Sequence, residues 1–317
     1  MNAIGVDVGG TKIAAGLVTP EGEILNEVRY PTPHRPERLI ESLARAITEA
    51  KGDDEAGGVC LAVPGNILAT KNTVIFSPNL HAIEGINLKD KVETKIGLPL
   101  TVENDANAAA WGEFRFGAGS EVDHLVFITL GTGVGGGVIS HGALLRGAQG
   151  AAGELGHMTI QATGPRCGCG NRGCLEALAS GTAIQRRATE VASEQPNSAL
   201  GKLAVDRRLI GEDVTELARQ GDEAALSVLE ETGLWLGIGL AGYVNVFNPE
   251  VIAIGGGAAK AGELILGRAR KEMYLRSRAP ARDLVEVKEA SLGPESGVLG
   301  AAALARDPAT EEYILDD

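Results

Sequence analysis

Three groups of residues in this 317-residue chain have types and spacings that could do chemistry. The first is His157, Cys167, Cys169 and Cys174. Three of the four cysteines fall within the run PRCGCGNRGC, and nine residues lie between the histidine and the first of them. One imidazole and three thiolates make a closed tetrahedral set for Zn²⁺, with no position left for a catalytic water, so the expected metal is structural. A disulfide is the rival reading, but three clustered cysteines would leave one thiol odd. Cys60 stands alone in an apolar run and reads as a core thiol.

The second group is glycine-rich. Asp7-Val-Gly-Gly-Thr-Lys12 and Thr129-Leu-Gly-Thr-Gly133 lie about 122 positions apart, and each joins two runs of strand character. The turn amides of Gly9, Gly10 and Thr11, like those of Thr132 and Gly133, can line a nest for phosphate oxygens, with Lys12 assisting. Gly131 to Gly136 spells the dinucleotide fingerprint, yet Gly137-Val-Ile139 continues as strand where that fingerprint needs a helix. No Gly-x-x-x-x-Gly-Lys-Ser/Thr loop occurs. A single turn of this kind is simply a tight hairpin. Two of them, with Gly255, Gly256 and Gly257 beyond, favour a bound nucleotide and two related halves.

The third group is Glu103-Asn104-Asp105, at a strand end that opens a helix. Ligands of α/β proteins gather at such ends, and a carboxylate there could take a proton from a substrate hydroxyl. The residues by themselves favour the plainer reading, in which Asn104 or Asp105 caps the helix.

The elements that must position these groups follow from periodicity. Strands are expected at 2–8, 11–18, 23–30, 59–63, 100–103, 124–130, 134–139, 142–145 and 250–254. Helices are expected at 36–50, from Asn104-Asp105 to about Phe116, and at 175–192, 213–220, 222–246, 262–275 and 296–306. The stretch 193–212 is polar and irregular. The length suits two domains, and 44% hydrophobic with 22% charged residues is an ordinary globular balance. A formal charge of −13 argues against nucleic acid as a partner. The chain opens Met-Asn-Ala-Ile-Gly-Val-Asp without a basic, apolar leader, so a cytoplasmic location is expected. The stretch 232–249 is uncharged but carries Gly233, Gly237, Gly239 and Gly242, which suits a tightly packed helix better than a membrane span.

Together, DVGGTK at 7–12, ENDANAAAWGE at 103–113, LGTGVGGGVI at 130–139, GAAGELGH at 150–157 and CGCGNRGCLE at 167–176 resemble the ROK family of sugar kinases, most of all its bacterial ATP-dependent glucokinases. The resemblance runs through nearly the whole chain. It implies an actin-like, ribonuclease-H-like α/β fold of two domains, 1–108 with 297–317 and 109–296, the second holding the zinc loop and dimerisation helices. The C-terminal helix near 297–310 would cross back to the first domain.

The implied activity is transfer of phosphate from Mg-ATP to the 6-hydroxyl of glucose. Fructose, mannose or N-acetylmannosamine are the alternative sugars. On this resemblance Asp105 is the catalytic base, and Gly65, Asn79, Asn104, Glu154, His157 and Glu176 bind sugar. Gly9, Gly10, Thr11, Lys12, Thr132 and Gly133 hold phosphates, Gly256 and Gly257 lie beside adenosine, and Asp7 stands near Mg²⁺ through water. Zinc is held by His157, Cys167, Cys169 and Cys174. A homodimer or homotetramer is implied. Repressors of the family carry a helix-turn-helix before the first hairpin; here that hairpin begins at residue 2, which favours a kinase over a DNA-binding or catalytically silent sensor.

Overall fold

The structure, a computed structural model, describes residues 1–68, 73–77 and 80–306. The chain divides into two compact units. The first takes Met1–Phe127, Gly137–Gly153 and the chain from Ala290; the second takes Ile128–Gly136 and Glu154–Glu289.

In the first unit, β1 (Ala3–Val8), β2 (Lys12–Val18) and β3 (Ile24–Pro31) form an antiparallel meander. Helix α1 (Pro36–Lys51) follows, with proline in its first turn and Leu39, Leu43, Ala46, Ile47 and Ala50 buried along one face. Then come β4 (Val59–Val63), the short hairpin β5 (Asn66–Leu68) and β6 (Thr73–Phe76), α2 (Leu88–Ile96), β7 (Leu100–Asn104) and α3 (Asp105–Phe116). The sheet order is β3-β2-β1-β4-β7, with β4 parallel to both β1 and β7.

The two-residue period of β1 sends Ile4, Val6 and Val8 into the core shared with α1. Ala3, Gly5 and Asp7 alternate with them onto the opposite face. A second sheet runs in the order β10-β9-β8-β11-β12. Its strands are β8 (Leu125–Leu130), β9 (Val134–Ser140), β10 (Ala143–Leu144), β11 (Val251–Gly255) and β12 (Glu286–Glu289).

The helices of the second unit are α4 (Leu175–Ala179), α5 (Gly181–Glu194), α6 (Ala199–Asp206), α7 (Gly211–Arg219), α8 (Glu223–Phe247), α9 (Glu263–Arg276) and α10 (Ala281–Leu284). Where one helix was expected over 175–192, the chain breaks at Ser180, whose hydroxyl accepts the Ala183 N–H at 3.1 Å and starts α5 afresh. The unassigned stretch 193–212 contains the last two residues of α5, all of α6 and the first two residues of α7.

By length and composition α8 could cross a membrane, but 61% of its most apolar window is buried. Its small-residue stripe has a packing reason. A Cβ at Gly233 or Gly237 would lie 2.6 or 2.5 Å from a carbonyl oxygen of α9.

The last described helix, α11 (Ser296–Arg306), belongs to the first unit and covers the β1 face that α1 does not. A Cβ at Gly300 would come 1.7 Å from the Ala108 carbonyl of α3, and one at Gly5 would come 1.9 Å from the Val298 carbonyl. Backbone-to-backbone approach of this kind keeps α3, α11 and β1 together. Residues 307–310 of the expected helix lie outside the described residues.

Glu113 fastens the far end of α3. Its fully buried carboxylate accepts the N–H groups of Ala118 (2.9 Å), Ser291 (3.0 Å) and Leu292 (2.8 Å), and the Ser291 hydroxyl at 3.2 Å. Truncation would take a charged acceptor from three backbone donors at once, those of Ala118 and Leu292 on half-buried residues. Glu113→Ala is therefore expected to cost at least about 3 kcal/mol of stability, measured by urea unfolding. A loss under about 1 kcal/mol would show that this carboxylate is not what ties α3 to the segment before α11.

Candidate active site and metal centre

The carboxyl ends of three neighbouring parallel strands define one edge of the first sheet. Register pairs Asp7 of β1 with Ala62 of β4, and Ala62 and Val63 with Glu103 and Asn104 of β7. The chain leaves this edge by the Gly9–Lys12 turn after β1, by Gly65 after β4 and into α3 after β7. Such strand ends are where α/β sheets offer backbone groups and helix amino termini to ligands.

Asp7 lies on the α11 face; a Cβ at Gly297 would stand 3.1 Å from its carboxyl carbon. Burial pushes its carboxyl above the ordinary range, and Lys12 pulls it back. The adjoining turn is closed by the Gly9 N–H donating to the Lys12 carbonyl at 2.8 Å. Thr32 secures it from behind, its hydroxyl on the Gly9 carbonyl at 2.7 Å and its N–H on the Thr11 carbonyl at 3.0 Å. Among the described residues, no protein acceptor takes the amides of Gly10 and Thr11, and Thr11 and Lys12 are exposed.

Asn104 is the N-cap of α3. Its side-chain oxygen accepts from the N–H groups of Ala106 (2.9 Å) and Asn107 (3.1 Å), while its amide nitrogen donates to the Gly65 carbonyl at 3.1 Å. Gly65 itself has φ +109°, and a Cβ there would lie 2.0 Å from the Phe76 carbonyl, so glycine is required. Asp105, the first residue of α3, is half-buried, and its Oδ1 accepts the Ala106 N–H at 2.9 Å. The cap and the carboxylate are thus adjacent residues rather than alternative readings of one. Asn79 lies outside the described residues.

The second unit repeats the hairpin pattern. Gly131 donates its N–H to the Gly133 carbonyl at 3.0 Å. The turn is backed by α5, where the Thr182 hydroxyl reaches the Thr132 carbonyl at 2.7 Å and the Gly181 N–H reaches the Gly131 carbonyl at 2.8 Å. In both turns a threonine from elsewhere takes a carbonyl, which fixes the turn without using its outward amides. Gly256, with φ +93°, and Gly257 form the turn after β11.

Glu154, His157 and Glu176 come together in this unit. Glu154 precedes the 3-10 turn Leu155–His157, and its Oε2 lies 3.9 Å from His157 Nε2. Burial together with Glu176 raises the Glu154 carboxyl above its usual range, with His157 opposing. Glu176 accepts the Val134 N–H through Oε2 at 3.1 Å, beside Gly133, where a Cβ would be 2.3 Å away. The buried Tyr243 hydroxyl holds the 3-10 turn through the Leu155 carbonyl at 2.7 Å.

The ligating atoms of His157, Cys167, Cys169 and Cys174 all lie within 4.8 Å of one another, and none of the four cysteines forms a disulfide. His157 Nδ1 to Cys167 Sγ is 3.6 Å and Cys169 Sγ to Cys174 Sγ is 3.8 Å. A tetrahedron with Zn–S of about 2.3 Å and Zn–N of about 2.05 Å has edges of about 3.6 and 3.8 Å. The cluster therefore fits zinc through Nδ1 and leaves Nε2 on the Glu154 side.

Several of these supports are invisible to local pattern. Thr32, Thr182, Tyr243 and the pair of Arg146 with Glu103 act across 23, 50, 88 and 43 residues. No spacing rule connects residues so far apart.

Known proteins resemble this chain over nearly its whole length. The ROK family model matches residues 3–308. A glucokinase of Streptomyces coelicolor is 42% identical over 311 residues, spanning 96% of this chain and 98% of that protein. A Thermotoga maritima glucokinase is 39% identical over 310 residues, spanning 97% and 98%. The crystal structure of a Streptomyces griseus ROK family glucokinase in complex with glucose and AMPPNP superposes with a TM-score of 0.83 at 42% identity, covering 96% of this chain and 99% of that one. Matched by that family model over residues 3–308 and 42% identical to a glucokinase across nearly its whole length, the chain belongs to the ROK family.

Proposed function

We propose that this chain is an ATP-dependent glucokinase, which transfers the γ-phosphoryl group of ATP to the 6-hydroxyl of D-glucose to give glucose 6-phosphate and ADP. The observation that carries this reading is the shared edge of the first unit. An open amide turn with Asp7 beside it stands at the same sheet edge as Asn104 and Asp105. Kinship with glucokinases over nearly the full length supports the choice of substrate.

Phosphoryl transfer asks chiefly for positioning and charge neutralisation, because its transition state is loose. A carboxylate beside the substrate hydroxyl is suited to accept its proton. Asp105 takes the proton of the 6-hydroxyl while the bond from O6 to the γ-phosphorus forms. The bond to the bridging oxygen breaks, and its electron pair leaves with ADP. Asn104 spends one amide hydrogen on Gly65 and keeps the other for a sugar hydroxyl.

Asn79, Glu154, His157 and Glu176, with the backbone at Gly65, hold the remaining hydroxyls. Gly10, Thr11, Lys12, Thr132 and Gly133 hold phosphate oxygens, Gly9 shapes the same turn with its own N–H spent on the Lys12 carbonyl, and Gly256 and Gly257 flank adenosine. Asp7 would hold Mg²⁺ through a water, and the ion would neutralise charge on the phosphates. His157, Cys167, Cys169 and Cys174 would hold zinc, with Nδ1 as the imidazole ligand, and His157 Nε2–H would then donate to the sugar.

The test is ADP release from Mg-ATP by the purified protein with glucose, fructose, mannose and N-acetylmannosamine in turn. Strong turnover confined to glucose is the expected result. Turnover with a different hexose alone would keep the chemistry and overturn the sugar assignment. Hexose binding without turnover would favour a silent sensor.

A further inference from the structure

We infer that Arg146, acting through Glu103, is a positioning residue for Asp105. The inference rests on the kinase reading for what Asp105 does; the side-chain network behind it stands on geometry alone.

Glu103 is the penultimate residue of β7 and is only 8% exposed. Its two carboxylate oxygens have separate tasks. Oε1 accepts the Asn104 N–H at 2.9 Å and the Asn107 side-chain amide at 3.0 Å, while Oε2 accepts from Arg146 Nε at 2.7 Å. The carboxylate therefore sits in the corner where strand becomes helix, gripping the residue before Asp105 and the residue two after it. Asn104 and Asn107 are themselves joined by the cap, so the backbone that carries Asp105 is held at both sides.

Arg146 comes from a closed loop. Its carbonyl accepts the Ala152 N–H at 2.9 Å, and the preceding Leu145 N–H reaches the Val138 carbonyl at 2.8 Å. The guanidinium that meets Glu103 is thus anchored on β9 and is the cation paired with that carboxylate.

A carboxylate this buried is held in place by its cation, and removing the partner leaves an uncompensated charge. Without Arg146, Glu103 must turn toward water or take a proton, and either change disturbs what Oε1 holds. An error of about 1 Å in a reacting group can cost about 10²-fold in rate. Displacement of Asp105 should therefore appear in turnover and hardly at all in nucleotide binding.

The experiment is a double-variant cycle on the full chain with Arg146→Met, Glu103→Gln and both together. Arg146→Met is expected to lower kcat by about 10- to 100-fold, with KM for Mg-ATP within about twofold of the parent. Glu103→Gln turns an NH₂ toward Arg146 and loses turnover as well. The double variant keeps an amide oxygen for Asn104 and Asn107 with no donor clash, and is expected to recover to within about fivefold of the parent. Unchanged kcat in Arg146→Met, or losses that simply multiply in the double variant, would overturn the inference.

Amide hydrogen exchange separates this from the kinase reading. Should the parent phosphorylate no hexose, that reading fails, and the positioning network is then judged on Ala106 and Asn107. Exchange at least tenfold faster there in Arg146→Met, restored in the double variant, supports the network; unchanged exchange overturns it.

Discussion

Asp105→Asn is expected to lower kcat for glucose phosphorylation by about 10³-fold while leaving the glucose dissociation constant within about threefold of the parent. The two halves of this expectation come from different atoms. Asp105 Oδ1 accepts the Ala106 N–H, and asparagine retains an oxygen that can do the same. The turn into α3 is capped by Asn104 and tied to Gly65, neither of which the substitution alters. The sugar should therefore still find its hydrogen-bonding partners.

What disappears is the ability to take a proton from the 6-hydroxyl as the new O–P bond forms, a service generally worth about 10²–10⁴-fold. Steady-state kinetics at saturating Mg-ATP, paired with calorimetric titration of glucose, separates the two quantities. Near-normal turnover in this variant would remove Asp105 from the role of base. Loss of glucose binding together with turnover would recast it as a binding residue.

The features legible in the sequence are those encoded within about a dozen neighbouring residues. The glycine hairpins, the helix opened by Asn104 and the cysteine loop are all of this kind, because a turn, a cap or a ligand cluster is a local event. Elements without a local signature escaped. The hairpin of β5 and β6 has strands of three and four residues, too short to alternate visibly. In α2 only Leu88 and Val92 are buried, so LKDKVETKI shows little amphipathic period despite a sound Asn87 cap. The polar edge strand EVKE of β12 takes its conformation from parallel pairing with β11.

The site divides in the same way. His157 and the cysteines can be named from residue type and spacing, whereas Asp105 as a base rests on the family resemblance, because the residues alone favour a helix cap. Glu103 was visible only as a neighbour of Asp105, and its partner Arg146 belongs to a distant loop that nothing nearby in the sequence marks. A buried charge pair is selected by the cavity that two segments make together, and neither segment announces it alone.

Zinc removal should strike sugar binding harder than nucleotide binding, because the cluster meets the two sites through different residues. His157 spends Nδ1 on the metal side, 3.6 Å from Cys167 Sγ, while Nε2 faces Glu154. Without the ion the ring loses the partner that fixes Nδ1 and the tautomer, while the Leu155–His157 turn keeps its tethers to Tyr243 and, through Met158, to Leu175. Loss of a partner that orients such a histidine generally costs about 10–100-fold, and KM for glucose is expected to rise by that much.

The nucleotide turn at Gly131–Gly133 meets the cluster through Glu176, which follows Cys174 closely and accepts the Val134 N–H, and through Gly156, packed on the Val134 carbonyl. Gly181 and Thr182 hold the same turn independently, so KM for Mg-ATP should rise by less than about fivefold. Atomic absorption before and after chelation, with kinetics on the stripped and re-zincated protein, tests both numbers. The exposed ligand gives a genetic version: Cys169→Ser should lose the ion and reproduce the stripped profile. A metal-free protein with the parent's KM for glucose would sever His157 from the sugar. An equal rise in both constants would mean that the loop from Thr159 to Cys174 collapses as one body, carrying Glu176 and the turn with it.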